Sequence, residues 1–143
     1  MKKESIYLAG PMDAVKDKSD MCAWRDQAKD FLAENYSSLN VLDPVRRPHS
    51  SECTLTDKEI VELDLADVEK ARLLLVDCRD LGIPVYGTPI EVFYCNRILG
   101  KPTIGWYDKE HGYRENSVFQ NVFITNMFPS LEEALEHIVD FYY

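Results

Sequence analysis

Apolar positions along this chain fall into two alternating rhythms. "SIYLAG", "LNVLDP", "RLLLVD" and "PTIGW" are short, nearly unbroken apolar runs closed by glycine, proline or aspartate, the pattern of buried strands. Between them the period lengthens. In "MCAWRDQAKDFLAENY", Trp24, Ala28, Phe31 and Leu32 share one helical face. A second helix is predicted from about Thr56 to Lys70, with Thr56 and Glu59 in capping-box positions. A third opens in "VYGTPIEVFY", where Thr88 reads as N-cap, Pro89 as the first helical residue and Glu91 as the glutamate that folds back to the N-cap amide. "SVFQNVFIT" is predicted as a fifth strand, "PSLEEALEHIVDFY" as a final amphipathic helix, and "VRRPHSSECTL" as a loop.

Strands alternating with helices imply an α/β protein, a five-stranded parallel sheet covered on both faces in a three-layer sandwich. At 143 residues the chain fits one domain, 1–143, and no repeat or linker divides it. Ligands of such open sheets bind beyond the carboxyl ends of the strands. That rule selects Ala9 to Asp13, including Gly10, Pro11 and Met12, after the first strand, Asp43 to Arg47, including Arg46, after the second, Asp77 to Thr88, including Gly87, after the third, and the residues after Trp106.

Charge narrows the partner. Sixteen Lys and Arg against 25 Asp and Glu leave −9, which opposes non-specific binding to nucleic acid or an anionic membrane and makes a small molecule the expected ligand. The apolar stretch of "MKKESIYLAG" is too short for a signal peptide and no segment is long enough to cross a bilayer, so a cytoplasmic protein is expected. Cys22, Cys53, Cys78 and Cys95 form no CxxC pair, and His49, His111 and His137 have no ligand spacing; neither a metal nor a cofactor is expected. GxSxG, GxGxxG and Walker-type loops are all missing from the sequence.

Two carboxylates stand out. Glu91 opens an otherwise apolar and aromatic run, where a capping role competes with that of a nucleophile. Asp64 falls at about 40° from Ile60 on a helical wheel, inside the face made by Ile60, Val61, Leu65, Val68 and Ala71. It is either a satisfied buried polar residue or the border of a pocket. Together the two make substitution at an anomeric carbon conceivable, which with retention needs a nucleophilic carboxylate and an acid/base group about 5 Å apart. Trp106, Tyr107 and Tyr113 are candidates for stacking on a base, and Arg46 and Arg47 for a phosphate; packing and solvation are the competing readings.

"IYLAGPM", "ELDLADVEKARLLLVD" and "GTPIEVFYCNRILGKPTIGW", in this order and register over residues 5–106, resemble the nucleoside 2-deoxyribosyltransferases and their nucleotide N-glycosidase relatives. With "DPVRR" after the second strand, the chain is similar to members encoded by bacteriophages. The resemblance implies a flavodoxin-like sheet, Glu91 as nucleophile, Asp64 acting near base and sugar, and Tyr7 lining the site. It also implies a homo-oligomer, with Asn126 of "FITNMFPSLEEAL" reaching a neighbour's site. The aromatic tail, Phe119, Phe123, Phe128, Phe141, Tyr142 and Tyr143, offers apolar surface for such an interface.

Two departures bear on substrate. Val85 stands where the transferases carry a sugar-binding aspartate, with Asp77 or Asp80 as possible replacements. Pro11 and Asp13 stand where the nucleotide-hydrolysing relatives carry a phosphate-binding serine and arginine. The expected activity is transfer of 2-deoxyribose between nucleobases; the alternatives are hydrolysis of deoxynucleoside 5′-monophosphates and a non-catalytic nucleotide-binding module.

Overall fold

A computed structural model describes residues 4–12, 18–46 and 55–143, apart from the side chains of Lys18 and Arg46. Asp13, Arg47, His49 and Cys53 lie outside the described residues. Five strands, β1 (Ser5–Ala9), β2 (Asn40–Leu42), β3 (Leu73–Asp77), β4 (Thr103–Trp106) and β5 (Asn126–Phe128), form one sheet in the order β2-β1-β3-β4-β5, every pair parallel. This is the flavodoxin-like order.

All residues of β1, β3 and β4 are buried, as their unbroken apolar runs require of strands covered on both faces. Alternation divides them between two cores. Ile6, Leu8, Leu73, Leu75 and Ile104 pack with Trp24, Ala28 and Leu32 of α1 (Lys18–Asn35) and Leu131, Ala134, Leu135 and Ile138 of α5 (Leu131–Tyr142). Tyr7, Ala9, Leu74 and Val76 face Val68 of α2 (Asp57–Lys70) and Val92 of α3 (Gly87–Phe93), which continues as a wider turn over Tyr94–Ile98.

The capping box of α2 forms as expected: the Glu59 amide donates to the Thr56 hydroxyl at 3.2 Å, and the Thr56 amide to the Glu59 carboxylate at 3.1 Å. The one expected at α3 does not form. Its helix begins a residue before Thr88, at Gly87 after Tyr86, no side chain caps it, and Thr88 is buried. Pro89 is tolerated because first-turn amides have no intrahelical acceptor to lose. Glu91 therefore lies beyond the first turn and is not a capping residue.

The fifth strand is also displaced from its expected place. Val118–Val122 is a short helix, α4, and β5 follows it. The apolar residues Val118, Phe119 and Val122 have i, i+1, i+4 spacing, which suits a helix better than a strand. The link between them is tied down at Thr103, whose hydroxyl donates to the Phe123 carbonyl and accepts the Thr125 amide at 3.0 Å.

Much of the aromatic tail covers its own sheet. Phe128, Tyr142 and Tyr143 pack on the α1–α5 core and Phe123 on the other, while Phe119 and Phe141 stay exposed. His137 is half-buried between the rings of Phe128 and Phe141. No helix among the described residues is long and apolar enough to cross a membrane.

Candidate active site

Strand order reverses at β1, because its neighbours β2 and β3 are reached by crossovers on opposite faces of the sheet. The loops leaving β1 and β3 then diverge and open a crevice at their carboxyl ends. A cleft of about 410 Å³ occupies this position. Gly10, Pro11 and Met12 form one wall, Ile60, Val61, Asp64 and Leu65 of α2 a second, and Pro84 to Thr88 with Ile90 and Glu91 a third. Gly10 has no room for a side chain: a Cβ would lie 3.0 Å from both Asp77 Cβ and Trp24 Cζ2.

The apolar stripe of α2 serves two purposes. Val68 and Ala71 at its carboxyl end are buried against the sheet, whereas Ile60, Val61 and Leu65 line the cleft. Asp64 lies among the latter, so the carboxylate inside the helical stripe borders a pocket rather than the closed core. Glu91, on α3, faces the same space. Tyr7, buried in the middle of β1, donates its hydroxyl to Glu91 Oε2.

Gly10, Pro11, Met12, Asp64, Gly87, Thr88 and Glu91 thus all line one cleft, with Tyr7 joined to it through Glu91. Two other expected contacts lie elsewhere, and the side chain of a third residue, Arg46, is outside the described residues. Asp43 is not a lining residue; its carboxylate lies 2.5 Å from Lys29 Nζ and 3.6 Å from Arg25 Nε and accepts the Val45 amide at 3.0 Å. Arg46 ends a short 3-10 turn, Pro44–Arg46. Asn126 is exposed and opens β5 opposite Ile104, at the amino ends of the strands and away from its own chain's cleft.

Neither candidate to replace an aspartate at Val85 lines the cleft. Asp77 accepts from Arg79 Nε at 3.0 Å and Nη2 at 2.8 Å, and Asp80 accepts the Gly82 amide at 3.1 Å and Arg114 Nε at 3.3 Å. Burial disfavours the Arg79 charge, but the hydrogen bonds and charge of Asp77, then Asp20, raise its pKa on balance. Trp106 lies beneath the Arg79 guanidinium and against Trp24, and Tyr107 packs on Tyr113, so these rings face each other rather than the cleft. Sequence reading missed two features that only folding assembles: the Tyr7–Glu91 hydrogen bond across 84 positions, and the wall from Ile60 to Leu65.

Burial pushes the Cys78 thiol up to about 12, helped by Asp77, and the Cys95 thiol up to about 11. Neither is a ready nucleophile. Among the described residues no group of three or more His, Cys, Asp or Glu could hold a metal ion.

An open parallel sheet of this order, with two carboxylates in a cleft at its reversal point, defines a flavodoxin-like α/β protein. Solved structures share the fold. A 2-desoxiribosyltransferase from Leishmania mexicana superposes with a TM-score of 0.72 at 18% identity, over 98% of this chain and 99% of that one. A conserved protein from Enterococcus faecalis V583 gives 0.74 at 16% identity, over 97% and 99%. The CMP N-glycosidase BcmB from Clostridium botulinum gives 0.60 at 18% identity, over 98% and 100%. At such identities the likeness is one of fold, and it agrees with the family that the three segments resemble. No family model matches the sequence, and no curated protein does.

Proposed function

We propose that the protein transfers 2-deoxyribose between nucleobases, with Glu91 as nucleophile and Asp64 as acid and base. The observation that carries this reading is the placement of both carboxylates in one cleft, with the Tyr7 hydroxyl holding Oε2 of Glu91. A carboxylate gripped at one oxygen is held in a fixed orientation, as attack on a bound sugar requires. The likeness in fold to a deoxyribosyltransferase and an N-glycosidase supports the same class of chemistry.

In the first step Glu91 attacks C1′ of a deoxynucleoside. The C1′–N bond breaks, its electron pair leaves with the base, and Asp64 gives that nitrogen a proton. In the second step a nitrogen of another base attacks C1′ and passes its proton to Asp64, and the ester bond returns its electrons to Glu91. Two inversions give net retention. The walls supplied by Ile60, Val61, Leu65, Val85 and Ile90 are apolar, which suits the flat faces of a base and disfavours water as the acceptor.

Incubating the purified protein with deoxyinosine or deoxyuridine, with and without a second free base, tests this reading by chromatography of the products. The expected result is a new nucleoside only when the second base is present. Free base and free deoxyribose without an acceptor would assign hydrolysis instead. Unchanged substrate would remove the catalytic reading.

A further inference from the structure

The third wall of the cleft is held from outside the cleft. Residues 81–86 belong to no helix or strand, yet they carry Pro84, Val85 and Tyr86 into the site. Their path is set first by a local turn, in which Gly82, at a φ of 68°, donates its amide to Asp80 Oδ1 at 3.1 Å. It is set next by the loop after β4. The Asp80 amide donates to the Gly112 carbonyl at 3.0 Å, and Arg79 pairs with Tyr113 in an isolated antiparallel bridge. Beside that bridge the Arg114 guanidinium reaches across: Nη2 donates to the Ile83 carbonyl, and Nε to Asp80 Oδ1 at 3.3 Å. One side chain thus grips both ends of the turn, two residues before Val85.

Arg114 is itself anchored. Its carbonyl accepts the Ser117 amide at 3.1 Å and the Asn121 side-chain amide at 2.9 Å, which fixes it to α4, while Tyr113 packs on Tyr107. Val85 stands at a boundary. It lines the cleft and also a second cavity of about 410 Å³, lined in part by Arg114, Ser117 and Gln120. A gap of about 10 Å³ shares Pro11 and Val85 with the cleft, and Arg114, Ser117 and Gln120 with the second cavity. Such a gap has room for about one water molecule.

We propose that Arg114 is a positioning residue for the site: by holding Asp80 and Ile83 it keeps Val85 as a closed partition between the cleft and the second cavity, and so keeps water from the sugar carbon until the second base arrives. The inference rests on the base exchange proposed above. Water attacking C1′ of the glycosyl ester would form a C1′–O bond, return the ester electrons to Glu91 and give its proton to Asp64, releasing free deoxyribose. A role in global stability does not fit the setting of Arg114. Its side chain is 31% exposed and that of Asp80 45%, and ion pairs so placed contribute little to folding. An arginine fork that holds a carbonyl and a carboxylate at once fixes geometry instead.

The test compares Arg114→Met, Arg114→Lys and Val85→Ala with the wild type. Amide hydrogen exchange, followed by mass spectrometry, should be about tenfold faster across residues 81–88 in Arg114→Met, with β1, β3 and the thermal midpoint little changed. Arg114→Lys, which keeps a donor for the Ile83 carbonyl, should lie nearer the wild type. Under base exchange, the share of free deoxyribose among the products of Arg114→Met should rise about fivefold or more. Val85→Ala, which thins the partition without touching the clamp, should raise that share too. Unchanged exchange across residues 81–88 in Arg114→Met would overturn the clamp, and so would a variant that no longer folds, since Arg114 is proposed to act on the wall alone. An unchanged product share in Arg114→Met or Val85→Ala would overturn the partition. Wild-type protein that leaves deoxyinosine and deoxyuridine untouched would instead remove the proposed reaction, while hydrogen exchange, which needs no turnover, still decides whether Arg114 holds the wall.

Discussion

Tyr7, in the middle of β1, donates its hydroxyl to Glu91, in the second turn of α3, and so joins two elements 84 positions apart at the floor of one cleft. A charge-assisted hydrogen bond of this kind orients a carboxylate as well as stabilising it. Tyr7→Phe should lower kcat about 10- to 100-fold with KM little changed. Glu91→Gln, which removes the proposed nucleophile, should lower turnover by several orders of magnitude while the protein stays folded. Circular dichroism beside product chromatography checks both, and a near-normal rate in Glu91→Gln would return that residue to a structural role.

In the proposed mechanism Asp64 differs from Glu91 in what it handles, a proton rather than a covalent bond. Asp64→Asn should slow base exchange about 100- to 10,000-fold. The loss should shrink for a deoxynucleoside whose base leaves readily without a proton. An equal loss for good and poor leaving groups would show that Asp64 does not act as the acid.

The described residues that line the cleft include two carboxylates and no Lys or Arg. A dianion would meet repulsion there without a counter-charge. An unphosphorylated deoxynucleoside is therefore expected to have the higher kcat/KM than its 5′-monophosphate. The opposite preference, abolished in Arg46→Ala or Arg47→Ala, would make those arginines a phosphate site and the protein a nucleotide N-glycosidase.

Assembly is predicted from surface that one chain leaves open. Tyr86, Ile90 and Phe93 beside Val118, Phe119 and Val122 of α4 are 41–82% exposed, and they form an apolar border next to the cleft. A second copy would cover it; a stable contact buries about 800 Å² on each partner. We expect at least a dimer in sedimentation, weakened by Phe119→Glu. Asn126 lies away from its own cleft, so any role in catalysis must be played in a neighbour's. Mixing inactive Glu91→Gln and Asn126→Ala subunits should then restore part of the activity, and a fully active monomer would exclude shared sites.

Alkaline stability follows from Cys78. Its folded pKa is raised to about 12 from an ordinary value of 9, so the native state binds the proton more tightly than the unfolded chain. Its contribution is complete below pH 9 and is lost as pH rises from 9 to 12. Three units correspond to about 4 kcal/mol at most. Urea midpoints should fall over that range in the wild type and less steeply in Cys78→Ala, whose stability at pH 7 is lower because of the cavity. Parallel curves would show that Cys78 ionises without cost.

The class of fold was legible because buried parallel strands need continuous apolar runs: β1, β3 and β4 lie within "SIYLAG", "RLLLVD" and "PTIGW". The start of α2 was legible for a local reason, since Thr56 and Glu59 satisfy each other's amides within one turn. Where two local patterns compete, local reading loses its hold. The Thr88–Glu91 spacing imitates a capping box, yet Thr88 is buried and Glu91 is claimed by Tyr7 from β1. The residues 117–125 suit a strand by composition and a helix by spacing, and the parallel ladder with β4 starts only at Asn126.

By itself the sequence determined the alternation of strands and helices, the two carboxylates that break apolar patterns, and the loops that reach the ligand end of the sheet. Only the tertiary structure decided that α2 turns Asp64 toward a cleft instead of the core, that Tyr7 grips Glu91, and that Asp43 and Asp77 are held by Lys29, Arg25 and Arg79. The physical reason is range. Periodicity and capping act within one turn or one strand, whereas a carboxylate's role depends on which cations, donors and apolar walls folding brings to it from distant parts of the chain.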